Sequence, residues 1–217
     1  MLELFAGTKS VSRAFETMGV ETLTIDNVEA LQPDICCDIM LWDYAQFQPG
    51  HFDVIWASPP CTQYSIARSN AKTPRDLEYA DSLVERALEI IRYFKPLAWY
   101  IENPSSGLLR TRRVLRGLPS VTISYCKYGH PYQQNTTIST NVEHMWRPRC
   151  KFDCDAVKDG RHTNWAQKAG KKDARGFKRL ELCTIPDALC KDIVCASFGA
   201  QRLSSLGTIT GHPQACD

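Results

Sequence analysis

The 217-residue chain contains no run of about 18 apolar residues, so no membrane-spanning helix is expected. It does not begin with a basic stretch followed by an apolar one. Met1-Leu2-Glu3-Leu4-Phe5 reads as a first strand and not as a secretory leader. Internal repeats and low-complexity tracts are missing. The formal net charge of +2 is too small to indicate a partner by itself. Hydrophobic residues make up 43% and charged residues 23%, which is ordinary for a folded globular chain. The length suits one core, with room for a small appendage. Cysteine is not scarce, but ten residues in this length do not make a disulfide scaffold. One of them, Cys61, lies in a motif that needs a reduced thiol. The expectation is therefore a reducing, intracellular setting, with most other cysteines serving as small buried hydrophobes.

The charge is unevenly spread. Residues 141–180 hold 11 Lys or Arg against 5 Asp or Glu, and the remainder is net acidic. A basic segment beside an acidic domain suits a phosphate-contacting surface, with Arg147, Arg149, Lys171 and Lys172 as candidate contacts. A solvated loop region fits the same composition.

Apolar spacing predicts alternating strands and helices. Residues 2–5 form a strand broken by Ala6-Gly7-Thr8. Val11, Ala14, Phe15 and Met18 then share one helical face, with Gly19 as C-cap. Further strands are expected at 21–25, 52–57, 97–101, 121–125 and 136–140. A long helix is expected at 76–94, with Leu83, Ala87, Leu88 and Ile91 inward. Another is expected at 185–196, with Pro186 near its start. The pattern decays over 141–180, which reads as a loop-rich insert, and the polar tail from Gly207 reads as mobile. The expected division is a catalytic domain at 1–140, a basic insert at 141–180, and a C-terminal helix and tail at 181–217. Such alternation indicates an α/β domain with a largely parallel sheet. Gly7, Asp26, Cys61 and Glu102 all fall near expected strand ends, where open α/β sheets bind ligands.

Each of these segments has a chemistry. In Phe5-Ala6-Gly7-Thr8, with Ser10 following, glycine lets the backbone approach a ligand, and free N–H groups at the helix start favour polar or anionic groups. Asp26, followed by Asn27, stands where an acid often accepts hydrogen bonds from ribose hydroxyls. Asp38, beside Ile39, can accept from an adenine amino group. Singly, each acid reads as a cap or a surface charge; together they suggest an adenosine-containing cofactor. Pro59 and Pro60 pin the backbone just before Cys61, as a thiolate approaching a ring carbon in one orientation would require. A carboxyl at Glu102, in Ile101-Glu102-Asn103-Pro104, can hydrogen-bond N3 and the exocyclic amine of cytosine. Asn-Pro alone would read as a turn.

In order and spacing, Phe5-Ala6-Gly7, Pro59-Pro60-Cys61 and Glu102-Asn103 resemble motifs of the DNA cytosine-5 methyltransferases. The resemblance covers about residues 2–140. It implies a Rossmann-like, S-adenosylmethionine-dependent methyltransferase fold with a small loop-rich C-terminal insert. It also implies Cys61 and Glu102 as catalytic residues, and Phe5, Ala6, Gly7, Thr8, Ser10, Asp26, Asn27, Asp38, Ile39 and Pro60 around S-adenosylmethionine. Pro60, Asn103 and the basic residues would face the substrate, most simply duplex DNA. The setting would be the cytoplasm of a prokaryote or a site of viral or host DNA. The chemistry requires no metal.

The chain departs from the family at several points. Lys9 and Ser10 replace two glycines, and Thr62 replaces a glutamine. Tyr132, Gln134 and Thr136 stand where the family alternates Gln with two Arg. The recognition region is short. RNA, single-stranded DNA or a free nucleotide thus remain alternative substrates, a non-catalytic nucleic-acid-binding paralogue is a further reading, and Lys9 leaves open transfer of a group other than methyl. Cys150-x3-Cys154 followed by His162 is part of a zinc pattern. Cys126, His144 and Cys183 are candidates for a fourth ligand. The expectation is scattered, unliganded side chains.

Overall fold

The computed structural model describes residues 1–163 and 183–206. Lys171, Lys172 and the tail from Gly207 lie outside them. Seven strands form one sheet: β1 (Leu2–Leu4), β2 (Leu23–Asp26), β3 (Ile35–Cys36), β4 (Val54–Ala57), β5 (Ala98–Pro104), β6 (Ser120–Ser124) and β7 (Asn135–Thr140). Their order is β3-β2-β1-β4-β5-β7-β6. β1 to β5 run parallel, whereas β7 is antiparallel to both of its neighbours. The order reverses between β1 and β4. Chains leave these two strands in opposite directions and open a crevice at their carboxyl ends. The fold is α/β with a largely parallel sheet, as the alternation predicts, and Rossmann-like, as the resemblance implies.

Both faces of the sheet are covered, so central strands lose the polar alternation of a half-exposed strand. Val54, Ile55, Trp56 and Ala57 are all fully buried. One face carries α1 (Ser10–Glu16) and α3 (Asp187–Leu206). There Phe15, Trp56, Tyr100, Leu189 and Ile193 share a cluster that also reaches Met1. The other face carries α2 (Leu77–Phe94), which buries Ala80, Leu83, Val84, Ala87, Ile90, Ile91 and Phe94. That stripe recurs every three or four residues and is slightly rotated from the expected one: Leu88 is only partly buried, whereas Val84 and Ile90 are sealed. Asp76 caps α2 by accepting from the Tyr79 N–H at 2.9 Å, and Lys95 ends it in the left-handed conformation.

Three local results differ from the sequence expectations. β3 is a two-residue strand that pairs with β2 and is too short to show a period. Glu102 lies inside β5 and not beyond it, because β7 pairs with Tyr100 through Pro104 and lengthens the strand. The stretch after β7 contains an ordered hairpin, β8 (Val157–Lys158) with β9 (Arg161–His162), joined through Asp159-Gly160, both at positive φ. Among the described residues, no helix is long and apolar enough to cross a membrane.

Glu3 is a carboxyl inside this frame. It is 3% exposed, accepts the Ser12 N–H at 2.8 Å near the start of α1, and is pushed from its ordinary 4.5 to about 7, chiefly by burial. Its folded-state affinity for a proton exceeds the unfolded one. Its contribution to stability is therefore greatest below pH 4.5 and is lost as pH rises from there through about 7. Glu3→Gln keeps an oxygen for the Ser12 amide and removes the titration. At pH 8 it should melt above wild type, by at most about 3 kcal/mol from a shift of this size, and the gap should close at pH 4.5. Melting curves at both pH values test this. An equal offset at the two would show that Glu3 does not titrate in that window.

Candidate active site

The turn after β1 is shaped by unusual backbone. Phe5, Gly7 and Lys9 all have positive φ, at 56°, 49° and 54°. Lys9 is thus a non-glycine residue in the left-handed region, which is reason enough for a glycine to be common at such a place. Its ammonium donates to the Gln32 carbonyl. Asp26, the last residue of β2, holds the turn from below. Its Oδ2 accepts the Gly7 N–H at 2.9 Å, and its Oδ1 accepts the Val28 N–H at 2.9 Å. Asp38 accepts the Met40 N–H through Oδ1 at 2.9 Å. Thr8 and Ser10 pair through their hydroxyls at 2.6 Å.

These groups surround a cleft of about 850 Å³ at the carboxyl ends of β1 and β2. Phe5, Ala6, Gly7, Thr8, Ser10, Asp26, Asn27, Asp38, Ile39 and Pro60 all line it, so the ten residues expected around the cofactor converge on one space. Glu3, Leu83, Cys183 and Ile185 line it too, and sequence reasoning missed them. Glu3 was hidden within a strand, and Cys183 and Ile185 return from far along the chain. The cleft combines apolar walls with carboxylates and a glycine turn, and its size suits a nucleoside-sized ligand.

Beside it, the loop after β4 carries Cys61. Pro59 is buried, Pro60 exposed and Cys61 half-buried. Tyr64 N–H donates to the Cys61 carbonyl at 3.0 Å and closes a turn. Tyr64 is fully buried, and its hydroxyl donates to Asp81 at 2.9 Å, which Arg112 grips through Nε and Nη2. Arg75 adds bonds to the Gln63 and Ser65 carbonyls at 2.6 and 2.8 Å. Apart from the Tyr64 turn, none of these supports is visible as a motif, because each joins residues at least 10 apart in sequence.

Glu102 is 6% exposed on the strand next to β4. Its Oε1 accepts from Tyr125 at 3.0 Å and from Thr136. Burial pushes its carboxyl above the ordinary value, and the two hydroxyl donors only partly oppose this. Thr136, which stands where the family places an arginine, is turned inward onto Glu102. Asn103, expected at the substrate, donates instead through Nδ2 to the Pro59 carbonyl at 2.9 Å, tying the Glu102 strand to the Cys61 loop.

The basic candidates fall differently. Arg149 is exposed. Arg147 is partly engaged by the domain: it donates to the Lys127 carbonyl at 3.0 Å, lies 4.8 Å over the Tyr128 ring and reaches Asp192 at 3.9 Å. Of the three candidate partners for Cys150, Cys154 and His162, only Cys126 joins them. His144 packs on Trp146, and Cys183 lines the cleft.

The Asn103 bond gives a direct test of how the loop is held. Asn103→Ala should cost about 1 kcal/mol of stability and speed amide hydrogen exchange at Thr62–Ser65. Unchanged exchange there would show that the loop is held without it.

A relative from Frog virus 3 (isolate Goorha), described as a probable DNA (cytosine-5)-methyltransferase, is 29% identical over 214 residues. The match covers 89% of this chain and 98% of the relative. The solved structure of a putative DNA modification methyltransferase encoded within an E. coli prophage shares the fold at a TM-score of 0.50 with 14% identity. That match covers 66% of this chain and 48% of the other, so it spans about half of that protein's length. The model of the C-5 cytosine-specific DNA methylases matches residues 1–130, well over half of the sequence, and the chain belongs to that family.

Proposed function

We propose that this protein transfers a methyl group from S-adenosylmethionine to C5 of cytosine in DNA, through a covalent bond between Cys61 and C6 of the base. The observation that carries the reading is the buried Glu102, whose carboxyl is raised above its ordinary value by burial, on the strand tied to the Cys61 loop. Burial favours the neutral form of a carboxyl, which can donate to a ring nitrogen, and a base flipped from a duplex can present that edge.

When bound, S-adenosylmethionine supplies an electrophilic methyl group. The lining of the cleft suits it: Asp26 and Asp38 offer acceptors for ribose and adenine, and Gly7 leaves room for close approach. Cys61, deprotonated, adds to C6 while Glu102 gives its proton to N3, so the electron pair of the 5,6 double bond shifts toward C5. Tyr125 and Thr136 hold Glu102 in place during this step. C5 then takes the methyl group. Loss of the C5 proton to a base restores the double bond as the Cys61 thiolate leaves, N3 returns its proton to Glu102, and S-adenosylhomocysteine would be the by-product of the transfer. Arg149 and the basic stretch beyond it would contact phosphates.

A second reading keeps the chemistry on single-stranded nucleic acid or a free nucleotide. It is favoured by Thr136, which faces inward where a phosphate-gripping arginine would point outward. Labelled S-adenosylmethionine with duplex DNA, single-stranded DNA, RNA and dCMP separates the readings through nucleoside analysis of the product. Label should enter 5-methylcytosine from duplex DNA. Cys61→Ala should abolish transfer, and Glu102→Gln should slow it by about 10² to 10⁴. Turnover undiminished in Cys61→Ala would remove the covalent mechanism.

A further inference from the structure

Cys126, Cys150, Cys154 and His162 come together away from the cofactor cleft. Their ligand-type atoms all lie within 4.8 Å of one another. The His162 Nε2 stands 3.4 Å from Cys150 Sγ and 3.3 Å from Cys154 Sγ. Cys126, Cys150 and His162 are buried, and Cys154 is half-buried. A tetrahedral zinc ion with Zn–S near 2.3 Å and Zn–N near 2.0 Å separates its ligand atoms by about 3.5–3.8 Å. The cluster is therefore already at the scale of such a site, and an inward shift of about 1 Å or less completes it.

We infer that Cys126, Cys150, Cys154 and His162 bind one structural Zn²⁺ ion, which fastens the segment after β7 to the catalytic sheet.

The backbone around the four side chains is arranged to present them. Cys126 sits in a single turn directly after β6. Cys150 and Cys154 flank a tight loop in which Phe152 takes a φ of 66° and Asp153 accepts the Lys151 N–H at 3.0 Å. His162 is delivered by the β8–β9 hairpin, and the Phe152 ring packs at a tilt against it, 5.2 Å between centroids. Cys150 N–H donates to Ser124 Oγ at 3.0 Å, and Lys127 pairs with Asp153 at 3.1 Å, so both ends of the loop meet the residues flanking Cys126. Without a cation this is an awkward core. Three buried or half-buried thiols crowd one ring, and His162 Nδ1 is buried without a hydrogen-bond partner among the described residues. Three thiols and one ring cannot all be joined in disulfides. They do supply the sulfur and nitrogen donors that zinc prefers, with no acid or open position for a reacting water. Three thiolates and a neutral imidazole leave the centre at net −1, next to Lys127. The ion would set Arg149, Lys151 and Arg161, all exposed, on one rigid lobe. The site does not depend on which substrate the enzyme methylates.

The test begins with the full chain as purified, without mutation. After gel filtration, elemental analysis should find about one zinc per chain, the stoichiometry of a single structural site. Cobalt substitution should give the visible bands of tetrahedral thiolate coordination. Cys154→Ser and His162→Ala should each lose the zinc and open new protease cuts between 141 and 163, whereas Cys36→Ser should keep both metal and resistance. A strong chelator should lower Tm of the wild-type chain and zinc should restore it. Wild-type protein free of zinc, with a Tm indifferent to chelator and added zinc, overturns the assignment. So does zinc that survives Cys154→Ser and His162→Ala but leaves with Cys36→Ser.

Discussion

The carboxyl of Glu102 is withdrawn from water in the middle of a strand, and its donors arrive from Tyr125 and Thr136, 23 and 34 residues further on. An acid in that position requires such donors, because leaving a buried carboxyl unpaired is costly. Thr136 reaches it only because β7 runs back against β5, and the same hydroxyl oxygen lies 2.9 Å from the Asn103 carbonyl. Tyr125 reaches it only because the chain turns sharply after β6, and its N–H donates to the Gln134 carbonyl at 2.8 Å. The antiparallel end of the sheet is thus organised around one buried carboxyl. The parallel half is organised around the glycine turn, and Asn103 to Pro59 ties β5 to the loop after β4.

The parts of the site that were legible in the sequence are those carried by contiguous residues. Phe5-Ala6-Gly7, Pro59-Pro60-Cys61 and Glu102-Asn103 each combine a strand end with a chemical group, and the parallel sheet brings all such ends to one edge. Asp26 was legible for the same reason, whereas Asp38 follows the unexpected β3 and was legible only together with the glycine turn and Asp26. The supports of those groups were not legible. Tyr64 with Asp81 and Arg112, Arg75 with the Gln63 carbonyl, and Thr136 with Glu102 are each made across loops, where neither periodicity nor spacing carries a signal. Asn103 shows a different difficulty: its position was clear, but its side chain turns toward a backbone carbonyl, which residue type cannot reveal. The order of the outer strands also escaped, since β3 has two residues and β7 reverses direction.

Lys9 is instructive because it departs from the family pattern without changing the shape that pattern provides. The backbone there takes the left-handed conformation with a side chain present, at a cost of about 1–2 kcal/mol. The Asp26 bonds to Gly7 and Val28 fix the turn on one side, and the Lys9 ammonium fastens it to Gln32 on the other. The turn is thus held by neighbours instead of being permitted by glycine.

The cleft that begins with Glu3 and Phe5 is finished by Cys183 and Ile185, and the cluster that contains Met1 and Phe15 is finished by Leu189, Ile193 and Val194. During synthesis the first strand therefore leaves the ribosome long before the residues that cover it. Until α3 emerges, the part of that face that α3 covers and the side of α1 that meets α3 stay wet, and the nascent chain has no closed cleft. The opposite face, sealed by α2, is completed much earlier. The molecule accordingly matures one face at a time, and the pocket that gathers its earliest residues is among the last features to form.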